Sequence, residues 1–465
     1  MLAENLITVL KEKNFFSAES NLKQIVEIGK KMSALAGNFT KEAKFEALPS
    51  LIPAQDANTQ HEYALLIDIG GTSTKVGIRQ VLSPGREHWR LLFELKNIEL
   101  KEYEYSGNKF HAFCSLLAKR IRIYLDQAGF PREKLQACGI VWSNAIENKF
   151  YIKPKNLSSE IAATEKCITG IVVQREFYGK GEWFIEDLKN GDDLGEIFEK
   201  SFADQGLNFI SFLITNDTPL TMKSLTTADS GMVASTGLNG TLLKPLSDFV
   251  SGSASEKVIC NAEMGGRFVL DDRFFSLADF AGAQKKATTV EQITAGRFLP
   301  FVFVSHVIEL GNDKLDNLKE LAKHLTELGE KRFFEFRARD LSLLLFDQVF
   351  FVARRTKKEY YSAEVLEILR ELALQLILRS AKLCAVVALA TISNQIEEKD
   401  DFLIALDSRL AREIPIFLET MEKTLKEITP AGKKINLNLV EPLAISNGKI
   451  SVPMLGAARA LDSLI

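Results

Sequence analysis

Residues 63–78 read Tyr-Ala-Leu-Leu-Ile-Asp-Ile-Gly-Gly-Thr-Ser-Thr-Lys-Val-Gly-Ile, and the fold turns on this run. An apolar strand, Tyr63 to Ile69, carries Asp68 near its end, breaks at Gly70-Gly71 and resumes as a second strand after Thr72. Two glycines let a backbone turn tightly and bring bare N–H groups close to a ligand. Thr72, Ser73 and Thr74 add hydroxyl donors, Lys75 adds a positive charge, and Asp68 is placed to hold a hydrated magnesium ion. No helix follows the glycines, so the run is a phosphate-cradling β-hairpin rather than a Walker-type loop. Taken alone it reads equally well as an ordinary glycine hairpin.

The rest of the chain bounds the choice. A length of 465 residues predicts two or three domains, because single hydrophobic cores stop growing near ~250–300 residues. At 46% hydrophobic and 26% charged, with mean hydropathy near zero, the composition is that of a globular protein in water. The net charge of -3 gives no case for nucleic acid or an anionic membrane as partner. Cys114, Cys138, Cys167, Cys260 and Cys384 are odd in number and lack CxxC spacing, which argues for reduced thiols in a cytoplasm. His61, His88, His111, His306 and His324 show no ligand spacing, and none stands beside a nucleophile. The N-terminus lacks a basic segment followed by an apolar run, so no signal peptide is expected. The apolar stretch Val365 to Ile392 contains Arg370, Glu371, Arg379 and Lys382, and is expected to be a core helix.

Residues 1 to about 48 carry helical apolar spacing, and the polar run ending at Glu62 reads as a linker. Strands are expected over roughly 63–69, 74–80 and 89–99, a helix over about 108–128, and a strand from Ala137 to Trp142. That order is the order of a ribonuclease-H-like core. A weaker echo follows: a strand from Met232, a turn at Ser235-Thr236-Gly237, a strand through Leu243, and a third strand from Val258 to Glu263. Helices are then expected to about 395, a strand over Phe402 to Asp407, a helix to about Ile428, a strand from Ile435 to Ile445 and a closing helix from Leu455 to Leu464. Two such copies facing each other place two phosphate loops across one cleft.

Here the chain resembles the hexokinase/glucokinase family of the actin-like ATPase superfamily. Asp68-Ile69-Gly70-Gly71-Thr72 is similar to the family's first phosphate motif, Asp-(Leu/Ile)-Gly-Gly-Thr. Thr215-Asn216-Asp217-Thr218 matches its catalytic Asn-Asp-Thr, and Ser235-Thr236-Gly237-Leu238-Asn239 its second phosphate motif, with Ser for the first Gly. Asn261-Ala262-Glu263-Met264-Gly265 looks like the family's Asn-x-Glu-Trp-Gly. Glu291 precedes Ala295-Gly296-Arg297-Phe298 where the family has Glu followed by Gly-Gly-Lys-Tyr. Leu48-Pro49-Ser50 and Arg379 to Ala385 also fit, so the similarity spans nearly the whole chain in order.

The resemblance implies a two-lobed α/β fold, each lobe with a ribonuclease-H-like sheet and a cleft between them. The smaller lobe is expected over 62–214 plus 450–465, and the larger over 1–61 and 215–449. It also implies ATP-dependent phosphorylation of a hexose, glucose by default, at the 6-hydroxyl. Such chemistry needs a proton acceptor, an oriented hydroxyl and charge stabilisation on the moving phosphate. Asp217 is the implied base. Ser143, Lys180, Asn216, Asn239, Glu263 and Glu291 are the implied sugar set, since carboxylates and amides hold hydroxyls in a fixed pattern. Asp68, Gly70, Gly71, Thr72, Ser73, Thr74, Lys75, Thr236 and Gly237 are expected on the nucleotide phosphates, with Asp68 reaching Mg²⁺ through water. Asp407, Ser408 and Arg409 are expected on the adenosine side. A monomer or homodimer is expected.

Two stretches depart from the family. Its Phe-Ser-Phe-Pro appears as Val141-Trp142-Ser143-Asn144, and the chain from Ser143 to Lys180 is about twice the usual length. Its Gly-x-Asp-Gly-(Ser/Thr) appears as Ala405-Leu406-Asp407-Ser408-Arg409, without either glycine. The first leaves open a different sugar or polyol as acceptor, and the second bears on the nucleotide. A non-catalytic sugar sensor would not need Asp217. An actin-like filament or chaperone ATPase would not need Glu263 and Glu291.

Overall fold

The computed structural model describes residues 48–54, 61–70, 73–83, 85–96, 110–144, 146–152, 166–172, 179–180, 183–184, 187–249, 256–267, 289–329, 336–355 and 357–464. The helices expected before residue 48, the turn residues Gly71 and Thr72, and the middle of the long 144–173 segment lie outside this set. In chain order the strands are β1 (Leu48–Pro53), β2 (Tyr63–Ile69), β3 (Ser73–Ser83), β4 (Arg86–Lys96), β5 (Ala137–Trp142), β6 (Ile146–Ile152), β7 (Lys166–Val172), β8 (Gly179–Lys180) and β9 (Trp183–Phe184). They continue as β10 (Ser211–Asn216), β11 (Ser230–Ala234), β12 (Leu238–Pro245), β13 (Lys257–Asn261), β14 (Asp401–Asp407), β15 (Lys434–Leu439), β16 (Leu443–Ile445) and β17 (Gly448–Ile450).

The first sheet has the order β4-β3-β2-β5-β10-β7-β6. β2, β3 and β4 form an antiparallel meander, and β5 and β10 then add in parallel, Asp68 standing opposite Val141 and Asn216 opposite Trp142. β5 and β10 are buried along their whole length, and β2 everywhere but at Asp68, because helices cover both faces. The helices Phe110–Gln127 and Leu194–Ala203 pack on one side. The closing helix Val452–Asp462 packs on the other, over Ala64, Leu66, Ala137 and Leu213. Within the long 144–173 segment, β6 and β7 pair antiparallel and extend the sheet beyond β10.

The second sheet has the order β1-β13-β12-β11-β14-β15. β11, β12 and β13 are antiparallel, and β14 and β15 add in parallel, so the echo in the sequence is an echo in topology. Its core gathers around the helix Ala363–Thr391. That helix is long and apolar enough to cross a membrane, yet 78% of its most apolar window is buried in the protein. Arg379 is buried within it, and the neighbouring Ser380 hydroxyl donates to the carbonyl of Thr294 at 2.7 Å.

Three boundaries differ from expectation. The strand expected from Ile435 to Ile445 stops at Leu439, and 443–450 turns back as the small hairpin β16–β17, since Pro442 has no N–H for a ladder. The closing helix begins at Val452, three residues early, with Pro453 in its first turn where proline is favourable. The strand expected to Glu263 ends at Asn261, because Glu263 takes a left-handed φ of 51° that no strand accommodates.

Candidate active site

The first sheet and the second meet along the helix Asp217–Lys223, which starts where β10 ends. Asn216 makes that junction rigid. Its Oδ1 accepts from the Thr218 N–H at 3.2 Å, capping the helix, and its Nδ2 donates to the carbonyls of Trp142 and Asn144, both at 3.2 Å. The next residue, Asp217, therefore has its carboxylate fixed at the helix start, where the Thr218 hydroxyl donates to Oδ1 at 3.1 Å. The helix is pressed close to the closing helix: a Cβ on Gly456 would lie 1.7 Å from the carbonyl oxygen of Leu220. Any larger residue there would push this junction away.

Asp217 opens onto a cavity of about 240 Å³. One wall holds Ser143, Asn144 and Asn216; the other holds Thr236, Gly237, Asn239, Glu263, Glu291 and Arg297. The carboxylates and amides are tied to one another. Asn239 Nδ2 donates to Asn261 Oδ1 at 2.6 Å and to Glu263 Oε1 at 3.3 Å, and Asn261 Nδ2 donates to the same Glu263 oxygen at 2.7 Å. This pull on Glu263 offsets the cost of its left-handed backbone, about 1–3 kcal/mol for a non-glycine residue. Glu291 Oε1 accepts from the Leu238 N–H at 3.1 Å. Gly265 allows the two acids to share a wall, because a Cβ there would meet the Leu238 carbonyl oxygen at 2.0 Å.

The second glycine turn is closed by the Ser235 N–H donating to the Gly237 carbonyl at 2.9 Å. Segment 296–297 lies against it, the Gly296 and Arg297 N–H groups donating to Ser235 and Thr236 carbonyls at 2.8 and 3.4 Å. This brings the exposed Arg297 guanidinium to the cavity beside Phe298, 5.6 Å from that ring's centre.

On the first hairpin, Asp68 faces Lys75 across the ladder and accepts from the Ser451 hydroxyl at 2.6 Å. Burial pushes its carboxyl up from 3.8 to about 6; the Ser451 hydroxyl and Lys75 oppose the rise, and the Asp217 and Asp407 charges add to it. Asp407 is likewise raised by burial, partly offset by Arg412, whose Nη2 reaches Asp407 Oδ1 at 2.6 Å. Asp68 and Asp407 are each raised chiefly by burial and in smaller part by the Asp217 charge, a cost that the charge of a hydrated dication would relieve. Among the described residues no three acids, histidines or cysteines stand close enough to ligate a metal directly.

The remaining expected residues are distributed as follows. Ser73 and Lys75 share one face of β3, and Thr74, fully buried, points to the other. The Gly70 N–H donates to the Ser73 carbonyl at 3.0 Å. Lys180 lies in β8, paired to Trp183; its side chain is outside the described residues. Ser408 is fully buried: its hydroxyl donates to the Ala234 carbonyl at 2.6 Å and caps the next helix through the Ala411 N–H. Arg409 points outward and pairs with Glu413 at 2.7 Å. Of the three residues expected on the adenosine side, only Asp407 faces the shared acids. Asn261, Arg297, Ser451 and Arg412 join the site without having been singled out. Asn261 carried a signal, standing two residues before Glu263 in a quoted motif. Ser451 and Arg412 owe their places to contacts with residues far off in the chain or on another turn.

Comparison with known proteins agrees with this geometry. Residues 229–445 match the family model described as hexokinase. Among solved structures, a hexokinase from Schistosoma mansoni complexed with glucose shares 17% identity over 98% of both chains, with a TM-score of 0.72. A second hexokinase shares 18% identity over 100% of this chain and 99% of its own, with a TM-score of 0.70. At such identity the likeness speaks for the fold, and it bears out the two-lobed actin-like ATPase reading. No curated protein matches the chain. The family match covers the second glycine motif and the motifs of Glu263 and Glu291, and bears out the resemblance over that region.

Proposed function

We propose, from the premise of a hexokinase-family region at residues 229–445, that this protein transfers the γ-phosphoryl group of ATP to the 6-hydroxyl of a hexose, glucose being the default acceptor. One observation carries the reading: a single cavity joins Asp217, the second glycine turn and the Asn239–Glu263–Glu291 wall. Asp217 accepts the hydroxyl proton as the oxygen attacks. Glu263 and Glu291 accept from the other sugar hydroxyls, and Asn216 and Asn239 fix the frame around them. Thr236, Gly237 and the β2–β3 turn receive the phosphates, and Arg297 faces the charge that develops between donor and acceptor. Asp68 and Asp407 would hold Mg²⁺ through its waters. When bound, that ion neutralises phosphate charge.

ADP release measured across a panel of hexoses and polyols tests the proposal. Turnover with glucose or another hexose, lost in Asp217→Asn, is expected. Activity on polyols alone would move the acceptor class, which Asn144 in place of the family's Phe-Pro start makes the next reading. Sugar binding without ADP release would leave a sensor.

A further inference from the structure

We infer that Asn148, on β6, is a positioning residue for Asp217; this rests on the phosphotransfer reading above. β10 carries Asp217 at its end, and its two edges are held differently. On the β5 side the ladder is continuous from Ser211 to Asn216. On the β7 side it pairs only Leu213 with Ile168 and then stops, short of Ile214, Thr215 and Asn216. A strand edge without a ladder needs another restraint, and here that edge runs up to the residue that sets the position of a base.

The Asn148 side chain takes the place of the missing ladder. It is 5% exposed, and its Nδ2 donates to the Ile214 carbonyl at 2.6 Å and to the Thr169 carbonyl at 2.9 Å. Its Oδ1 accepts from the Thr215 hydroxyl at 2.9 Å. Both donors and the acceptor are therefore used, two of the three bonds falling on the residues just before Asn216-Asp217. Asn148 does not line the cavity. Its effect on the reaction passes through the backbone of β10. Alanine, leucine or threonine would each leave at least one buried group without a partner.

The test uses Asn148→Ala and Thr215→Val in the full chain, with Thr215→Ser retaining the hydroxyl. Loss of positioning is expected to lower kcat about 10–100-fold in Asn148→Ala, because small misplacements of reacting groups are costly. Sugar and ATP KM should stay within about threefold, Thr215→Ser should keep near-normal kcat, and the double variant should be no worse than Asn148→Ala, as expected for one shared bond. A kcat per folded molecule that does not change, or a loss confined to melting temperature, overturns the proposal. Amide hydrogen exchange gives a second readout that needs no turnover, and Thr215→Val supplies it if Asn148→Ala does not fold. Exchange should quicken at 214–218 and not at 137–142; equal exchange in variant and wild type overturns the inference. A wild-type protein without ADP release would refute the phosphotransfer reading and leave this second measurement decisive.

Discussion

The two glycine hairpins of this protein repeat one antiparallel ladder pattern in separate sheets and differ in what they hang on it. In β2–β3, the pair one step back from the pair that closes the turn is Asp68 opposite Lys75. In β11–β12, the same step is Val233 opposite Asn239. One hairpin offers two half-buried opposite charges, and the other an apolar residue and an amide. The surroundings follow. Asp68 sits among the charges of Asp217, Asp407 and Lys75. Asn239 sits in a web of amide hydrogen bonds, donating to Asn261 and Glu263 and accepting from the Gly240 N–H. On the function proposed above, the duplicated hairpin would divide one reaction: the first copy managing phosphate and metal charge, and the second presenting oriented acceptors to a neutral sugar while keeping its own turn for phosphate.

Asp217 belongs to neither hairpin, so its loss should exceed the loss of any residue within one. Asp217→Ala is expected to lower kcat about 10²–10⁴-fold, the worth of a positioned general base, with sugar affinity falling much less. Steady-state kinetics and sugar titration on the same preparation check it; near-normal turnover would remove the base from the mechanism.

The division of labour is sharpened by crossing variants. Glu263→Ala removes an acceptor that Asn239 and Asn261 hold in place, and is expected to weaken sugar binding by about 1.5–3 kcal/mol while nucleotide KM changes little. Thr236→Ala, on the turn of the hairpin that carries Asn239, should do the reverse: a loss of about 1 kcal/mol in nucleotide KM with sugar KM held. If both variants move both constants equally, the second hairpin does not separate the ligands.

Much of this was legible in the chain because each motif is local. Asp68-Ile69-Gly70 and Asn216-Asp217-Thr218 sit at strand ends, where backbone geometry and function share the same few residues. The large-lobe echo was legible for the same reason. What escaped is long-range. Ser451 reaches Asp68 across 383 positions and Asn148 reaches Thr215 across 67, and no spacing rule connects them. Thr74 and Ser408 were assigned to ligands because they stand in motifs, yet the alternation of β3 and the helix cap at 408 turn their hydroxyls inward. A motif names residues; the pleat decides which of them face the cleft.

The smallest effect offers a test of sign. A carboxyl raised from 3.8 to about 6 in the folded protein binds its proton more tightly there than in the unfolded chain. Its contribution to stability is therefore complete below pH 3.8 and is lost as pH rises through about 6. At pH 7.5 the ligand-free protein carries that cost, and the isosteric Asp68→Asn does not. For an enclosed group the difference would be roughly 3 kcal/mol; Asp68 keeps part of its surface open, so about 1 kcal/mol is expected. Asp68→Asn should thus melt higher than wild type at pH 7.5, with the gap closing toward pH 5, while its use of Mg²⁺-nucleotide falls. Wild-type nucleotide affinity should weaken below pH 6 as Asp68 takes up its proton, and sugar affinity, set by the other hairpin, should not follow. Thermal unfolding of both proteins between pH 5 and 7.5 decides it. A variant less stable than wild type across that range would mean that Asp68 holds the first hairpin together, and the contrast between a charge-managing copy and a sugar-presenting copy would fail at its charged end.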